Sequence, residues 1–232
     1  MKLLLTNDDG YDAIGLRSLI RAAENLGQLI VVAPDQPRSG CSHHVTTNES
    51  IKIEEYAKEC YRISGTPADC VRIGLHQIIP DVDIILAGIN DGGNLGVDVH
   101  YSGTVAAARE AAILGIPGIA ISQYHKRGQP IDWSLTINWL KPLLEKIIGA
   151  SWTTGTFFNL NFPFREIRSP APEVISCPLD PSPLPLSYIK KREMARYNGR
   201  YDKRQYLKGT DVELCFNGKT TITKLSIGLN HN

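Results

Sequence analysis

Short apolar runs alternate with amphipathic stretches through the first two thirds of the chain, and this alternation restricts the possible folds more than any other feature. The apolar runs have the length of buried strands, and the stretches between them have the length and periodicity of helices. A regular succession of strand and helix is typical of βα units, which build a parallel sheet with helices packed on it. The sequence therefore predicts an α/β fold.

The same pattern predicts the position of each element in this region. Strands are expected at residues 2–6, 28–33, 83–87, 118–122 and 156–161, and helices at residues 15–25, 67–78, 104–114 and 132–148. The second helix has the clearest beginning, because Thr66 can cap it, Pro67 suits its first position and Asp69 lies in its first turn. Residues 50–64 alternate well enough to predict an added hairpin.

Bulk composition excludes several classes of protein. Hydrophobic residues at 42%, charged residues at 21% and a formal charge of +1 are typical of a globular protein, and they predict no general affinity for nucleic acid polymers or membranes. The five cysteines form no CxxC pair, which favours a reducing compartment. The first apolar run is too short for a signal segment or a membrane span. We therefore expect a cytoplasmic protein.

The texture of the chain changes after Pro163. Residues 169–186 contain six prolines, so this stretch cannot form a helix or a central strand. Residues 188–208 contain eight basic residues against two acidic ones, with four tyrosines among them. Such a run is either a solvated face or, because of the tyrosines, a surface that packs on a partner subunit or over a site. We expect a catalytic domain at residues 1–163 and a C-terminal arm and extension at residues 164–232.

Two adjacent carboxylates, Asp8 and Asp9, follow the first predicted strand. Each raises the free energy of ionising the other unless water screens them or a cation bridges them. In an open α/β sheet this position faces the ligand crevice. The alternative is a simple turn, because Asn, Asp and Gly all favour one.

Two further loops are expected at the same end of the sheet. The loop after the second strand contains Ser39, and the glycine-rich loop after the third contains Asn90. Carboxylate, hydroxyl and amide oxygens are the ligands that hard divalent cations prefer. The histidines of these loops lack zinc spacing and are expected to be ordinary loop residues.

The glycine-rich loop ends at Ser102, Gly103 and Thr104, directly before an alanine-rich helix. The free N–H groups and the positive end of the helix dipole would face the crevice and could bind phosphate. Ser102 or Thr104 could equally serve as a helix cap, and the two roles are compatible. The chain contains neither a dinucleotide GxGxxG after its first strand nor a Walker A motif.

Four motifs in order, TNDDGYDAIG, VVAPDQPRSGCSH, SGTPADCV and AGINDGGNLGVDVHYSGTVAAAREAAILGIPGIAIS, resemble the SurE family of stationary-phase survival proteins. The resemblance implies a Rossmann-like three-layer sandwich with a mostly parallel sheet and a C-terminal extension used in oligomerisation. It also implies a metal-dependent hydrolase of nucleoside 5′-monophosphates, with 3′-monophosphates and short polyphosphate as further substrates. One Mg²⁺ or Mn²⁺ ion per subunit would be held by Asp8, Asp9, Ser39 and Asn90.

Further implications concern the phosphate, the substrate and the assembly. The family's phosphate-binding segment corresponds to Ser102, Gly103 and Thr104, and Asn94 and Tyr101 are candidate substrate contacts. A homodimer or homotetramer is expected. Asp8 and Asp9 would be catalytic, either by activating water or by forming an aspartyl phosphate. The alternatives are a non-catalytic sensor of metal nucleotides and a receiver-like phospho-acceptor domain.

Overall fold

Strands and helices form where the alternation of apolar and amphipathic segments predicts them. The computed structural model describes residues 1–166 and 169–228. The strands are β1 (Lys2–Thr6), β2 (Gln28–Pro34), β3 (Ile53–Ala57), β4 (Cys60–Ile63), β5 (Ile84–Asp91), β6 (Gly118–Gln123), β7 (Thr156–Phe162), β8 (Val174–Ser176), β9 (Tyr188–Lys191), β10 (Met194–Tyr197) and β11 (Thr220–Ser226). The α-helices are α1 (Ile14–Ala23), α2 (Pro67–Ile73), α3 (Gly103–Ile113), α4 (Trp133–Ile148) and α5 (Asp211–Phe216).

Nine of these strands form one sheet in the order β3-β4-β2-β1-β5-β6-β7-β11-β8. All neighbours pair in parallel except β3 with β4 and β11 with β7. The chain passes from β1 to β2 on one side and later returns to β5 on the other side of β1. The topological switch point therefore lies between β1 and β5, where the carboxyl ends of the strands open a crevice.

Helices cover both faces of the sheet. Helices α1 and α4 pack together on one face, and α2 and α3 pack together on the other. Successive side chains of a strand point to opposite faces, so Leu3 and Leu5 join the first core while Leu4 joins the second. All three leucines are fully buried, which explains why β1 is a continuous apolar run. The predicted three-layer α/β fold with a mostly parallel sheet is confirmed.

Several boundaries differ from those predicted. Strand β5 continues to Asp91, so Asn90 lies on a strand and not in the loop beyond it. Its pairing with β6 shifts register between Ala87 and Asn90, an irregularity that the apolar pattern could not reveal. The predicted second helix begins at Pro67 with a complete capping box between Thr66 and Asp69. Its last five residues, Gly74–Ile78, form a π-helical turn.

The hairpin predicted at residues 50–64 is present as β3 and β4. It is less separate than expected, because β4 pairs in parallel with β2 and extends the main sheet. In the C-terminal region, β11 lies between β7 and β8, so two strands from beyond residue 163 complete the same sheet. Strand β8 lies within the proline-rich stretch and occupies the sheet edge, the position that prolines tolerate.

The basic segment at residues 188–208 divides into two parts. Strands β9 and β10 form a separate hairpin whose residues are all exposed. In contrast, Arg204 is only 3% exposed, and its Nη1 donates to Asp98 Oδ2 at 3.0 Å and to the Leu95 carbonyl at 3.2 Å. The Tyr201 hydroxyl donates to the same Asp98 oxygen at 2.5 Å. The second part therefore packs on the glycine-rich loop.

Across residues 1–166 and 169–228, the structure has no helix with the length and apolar character required to cross a membrane.

Candidate active site

Asp8 and Asp9 lie directly after β1, at the switch point of the sheet. Asp8 is 4% exposed, and its Oδ1 accepts a hydrogen bond from the Thr104 hydroxyl at 2.5 Å. Asp9 is half-buried, and its Oδ2 accepts from the Asp91 backbone N–H at 3.2 Å. The adjacent carboxylates thus contact two different elements, helix α3 and strand β5, across the crevice.

Both carboxyl groups resist ionisation. Burial raises the pKa of Asp8, although the hydrogen bond from Thr104 and the backbone N–H groups of Thr104 and Gly103 oppose this effect. Burial and then the charge of Asp8 raise the pKa of Asp9 to about 6. A cation between the two groups would remove the repulsion and favour both charged forms. The electrostatics of the pair therefore suit a metal site.

Helix α3 approaches Asp8 through Gly103, its first residue. A Cβ atom at Gly103 would lie 2.9 Å from Asp8 Cβ and 3.0 Å from Cys41 Sγ, closer than side chains pack. Only glycine lets the helix N-terminus come this close to the carboxylate. Ser102 caps the helix, because its Oγ accepts from the Val105 N–H at 3.1 Å.

Asn90 presents its side-chain oxygen to the same place. Its amide nitrogen donates to the Gly92 carbonyl at 2.8 Å, which fixes the orientation of the amide. The Oδ1 atom then lies 3.5 Å from the Thr104 hydroxyl, which itself binds Asp8. The amide oxygen and the Asp8 carboxylate are therefore separated by one hydroxyl group.

The loop that carries Ser39 lies over Asp8. The Arg38 backbone N–H donates to the Asp8 carbonyl at 2.7 Å, and Cys41 borders Gly103. Ser39 is exposed and lies between these two contacts. Ser42 connects the loop to the segment before α3, because its N–H donates to the Tyr101 carbonyl at 3.0 Å. The structure thus brings Asp8, Asp9 and Asn90 to one crevice and places the loop that carries Ser39 beside Asp8.

A buried acid that the sequence did not single out anchors the Ser39 loop. Glu110 on α3 is 2% exposed, and its two carboxylate oxygens contact His43 Nε2 at 2.7 Å and Arg72 Nη1 at 2.9 Å. Burial alone would raise the pKa of Glu110, but the bonds with His43 and Arg72 outweigh it and hold the pKa below its usual value. His43 is thus a hydrogen-bonded loop histidine, as expected. No motif indicated Glu110, since it lies inside an alanine-rich helix.

The two candidate substrate contacts occupy different environments. Asn94 is 7% exposed, and its amide nitrogen donates to the Ser122 hydroxyl at 2.8 Å. Its backbone N–H donates to Asn161 Oδ1, and its carbonyl accepts from Asn159 Nδ2, both at 2.8 Å. Asn94 therefore ties the glycine-rich loop to β6 and β7. Tyr101 is 57% exposed, so its ring is accessible.

The donor set fits a hard divalent cation. The crevice offers two carboxylates from Asp8 and Asp9 and an oriented amide oxygen from Asn90, and the adjoining loop carries the Ser39 hydroxyl. These are the oxygen ligands of Mg²⁺ and Mn²⁺. Within the described residues there is no cluster of three or more His, Cys, Asp or Glu side chains that could hold a metal ion. Any ion in the crevice would thus rely on the mixed set of two carboxylates and neutral oxygens.

We predict that Gly103→Ala weakens the site without unfolding the protein. The added methyl group must displace Asp8 or the Cys41 loop. Mn²⁺ affinity and activity should therefore both fall by about 10- to 100-fold, the loss that follows mutation of residues that orient metal ligands. Isothermal titration with Mn²⁺ measures the change. Gly149→Ala is the control, because its Cβ would lie 3.4 Å from the nearest atom. Native Mn²⁺ affinity in Gly103→Ala would contradict the close approach.

The chain is similar to the proteins of one known family. The family described as survival protein SurE matches residues 3–178. One relative, from Nostoc sp., has a name that assigns it a provisional 5′-nucleotidase activity. It is 44% identical over 227 residues, covering 98% of this chain and 100% of the relative. The 5′-nucleotidase SurE of Paramagnetospirillum magneticum is 32% identical over 249 residues, covering 100% of this chain and 92% of the relative.

A solved structure agrees with these matches. The crystal structure of the SurE protein from Aquifex aeolicus superimposes with a TM-score of 0.84 at 31% identity, covering 100% of this chain and 95% of that one. The resemblance inferred from the four motifs is therefore confirmed over the whole length of the chain. The chain belongs to the SurE family.

Proposed function

We propose that this protein is a divalent-metal-dependent phosphomonoesterase that hydrolyses nucleoside 5′-monophosphates to nucleosides and phosphate. Relatives of similar length are named 5′-nucleotidases, which are hydrolases. The observation that carries the proposal is the convergence of Asp8, Asp9 and Asn90 beside the N-terminus of α3. That arrangement combines a cation site with a phosphate site, as phosphomonoester hydrolysis needs.

Each group has a part in the reaction that follows from its position. Asp8, Asp9, Ser39 and Asn90 would hold the cation, which when bound polarises the phosphoryl oxygens and offsets their charge. Ser102, Gly103 and Thr104 present the positive end of α3 to the phosphoryl group. The Thr104 hydroxyl already binds Asp8, so the backbone of this segment is the better donor to phosphate.

Asp8 and Asp9 are unequal in accessibility. Asp8 is almost fully buried behind Thr104, whereas Asp9 is half-buried and reaches the open side of the crevice. Asp9 is therefore the carboxylate that orients an attacking water and accepts its proton. The alternative is attack by an aspartate oxygen on phosphorus to give an aspartyl phosphate. Trapping a phosphoenzyme would select that second route.

The primary test is phosphate release from AMP and GMP with Mg²⁺ or Mn²⁺ present. We expect turnover with either ion, loss of turnover after chelation and full recovery when the ion is restored. Adenosine 3′-monophosphate and tripolyphosphate test the wider substrate range. A protein that binds the nucleotides but releases no phosphate would be the metal-nucleotide sensor, and the phosphatase proposal would be wrong.

The receiver-like alternative has less support. That fold needs an acceptor aspartate at the end of a later strand. Strand β5 does end at Asp91, but Asp91 Oδ1 lies 3.2 Å from His125 Nε2, and the side chain that faces Thr104 is the Asn90 amide. The proposed assembly is a homodimer or homotetramer. Its support is the exposed β9–β10 hairpin, whose Tyr188 and Met194 are 58% and 71% exposed. Apolar side chains gathered on one exposed hairpin favour an interface between subunits.

A further inference from the structure

A cavity of about 650 Å³ lies between the glycine-rich loop, the residues after β6 and the β9–β10 segment. Its volume is in the range of sites for small ligands. The side chains and backbone that line it include Gly93, His125, Arg127, Arg196, Tyr197 and Tyr201. None of these residues takes part in the cation site described above.

The cavity begins next to the catalytic carboxylates. His125 Nε2 lies 3.2 Å from Asp91 Oδ1, and the Asp91 backbone N–H donates to Asp9 Oδ2 at 3.2 Å. Gly92, whose carbonyl accepts a hydrogen bond from Asn90 Nδ2, also lines the cavity. A substrate whose phosphate lies at Asp9 would therefore extend its remaining atoms into this cavity.

The walls carry unpaired positive charge. Arg127, Arg196 and Arg200 line the cavity, and the acid among the lining residues is Asp202. Asp202 forms an ion pair with Arg200, whose Nε and Nη2 donate to its carboxylate at 2.9 and 2.7 Å. Within the described part of the chain, Arg127 and Arg196 form no ion pair. Two guanidinium groups are thus free to bind an anion, and guanidinium matches phosphate in a bidentate manner.

Aromatic rings beside these arginines are held in place. The Tyr197 hydroxyl donates to the Pro185 carbonyl at 2.8 Å, and the Tyr201 hydroxyl donates to Asp98 at 2.5 Å. Tyr197 is 46% exposed, so much of its ring is accessible. A fixed, accessible tyrosine ring is a surface on which a nucleobase can stack.

We propose that this cavity binds the nucleoside part of the substrate and that Arg127 and Arg196 bind a second phosphate attached to its ribose 3′ oxygen. The inference rests on the proposed function and extends it, because it names nucleotides with two separate phosphates as the preferred class. A plain nucleoside monophosphate would bring no charge to the two free guanidinium groups. A phosphate on the ribose would neutralise them while the 5′-phosphate occupies the site at Asp9.

The test compares the KM of AMP with that of adenosine 3′,5′-bisphosphate for release of the 5′-phosphate. We expect the bisphosphate to have a KM lower by about tenfold or more, as charge-assisted hydrogen bonds give. The Arg127→Gln, Arg196→Gln double variant should reduce this ratio to near one. The second arm measures the KM of a 5′-phosphorylated dinucleotide. If only the dinucleotide has a lower KM than AMP, the 3′-linked phosphate that the arginines bind belongs to an oligonucleotide end. If only the bisphosphate has a lower KM, that phosphate belongs to a mononucleotide.

Arg192→Gln is the matched control. Like Arg196→Gln, it removes one positive charge from the β9–β10 hairpin, but Arg192 is not among the residues that line the cavity, so the KM ratio should stay at the native value. A ratio near one in the native protein for both ligands, or an equal loss in Arg192→Gln, would overturn the inference while AMP hydrolysis continued. If neither AMP nor the bisphosphate is hydrolysed, the proposed function fails. Calorimetric titration of the bisphosphate into native protein and double variant then decides the inference separately, with tighter binding to the native protein supporting it and equal binding overturning it.

Discussion

Asp9→Asn should reduce the rate of phosphate release from AMP by more than about 100-fold. This loss is larger than the one caused by mutating a residue that only orients a metal ligand. One carboxylate with neutral oxygens holds a divalent cation far less well than two. The fold should survive, because Asp9 is half-buried and an amide oxygen can accept the same hydrogen bond from the Asp91 N–H. Phosphate release and Mn²⁺ titration measure the two losses.

The same variant should change the pH dependence of stability in the metal-free protein. Since folding raises the pKa of Asp9 from 3.8 to about 6, protonated Asp9 favours the folded state fully below about pH 3.8, and this contribution disappears as the pH rises through about 6. At pH 7.5 the native protein therefore carries a penalty that Asp9→Asn removes. The Tm of the variant should exceed the native Tm at pH 7.5 and match it more closely at pH 4.

Asp12→Asn is the control for both measurements, because Asp12 is an exposed acid on the same turn. It should keep native phosphate release and the native pH dependence of Tm. Native activity in Asp9→Asn would refute the central role of the carboxylate pair. A Tm difference that stays constant from pH 4 to pH 7.5 would refute the raised pKa of Asp9.

Asp98→Asn should strongly destabilise the protein. The Arg204 side chain is fully buried, and its charge is matched by Asp98, whose side chain is 11% exposed. Removing one member of a buried ion pair leaves the other charge uncompensated and costs about 3–5 kcal/mol. For a chain of this size the Tm should fall by roughly 10 °C. Thermal unfolding followed by circular dichroism gives the value.

An exposed ion pair on the same segment provides the comparison. Arg200 and Asp202 lie 2.7 Å apart with side chains 56% and 44% exposed, so Asp202→Asn should cost only about 0–1 kcal/mol. Combining Asp98→Asn with Arg204→Met should restore part of the lost stability, because the unpaired charge is then gone. If Asp98→Asn and Asp202→Asn prove equally mild, the buried pair contributes nothing specific.

Local signals predicted the first 163 residues well because burial and capping agree there. Strand β1 reads as a continuous apolar run since both of its faces are covered, and α2 begins at a capping box that is visible in the sequence. The family resemblance, which the comparisons confirm, is the source of the four-residue cation site that we propose. The convergence of Asp8, Asp9 and Asn90 depends on β1 and β5 being neighbours, a consequence of sheet order that no local motif states.

The C-terminal region could not be predicted in the same way. Strand β8 has three residues and lies among prolines, so its pairing with β11 depends on a partner more than forty residues away. The burial of Arg204 also has no local signal, because its sequence neighbours Lys203 and Gln205 are polar and exposed. Glu110 and Asp98 matter through contacts 67 and 106 residues distant in the chain. Long-range pairing, not propensity, determines these features.

The position of β11 in the sheet also affects the risk of aggregation while the chain is being synthesised. Until residues 220–226 have left the ribosome, the outer edge of β7 has no strand beside it and exposes unpaired N–H and C=O groups. Such an edge can pair with another nascent chain. The seven strands from β3 to β7 in the order of the main sheet can therefore assemble early, but the edge of β7 stays open to aggregation until β11 has been synthesised.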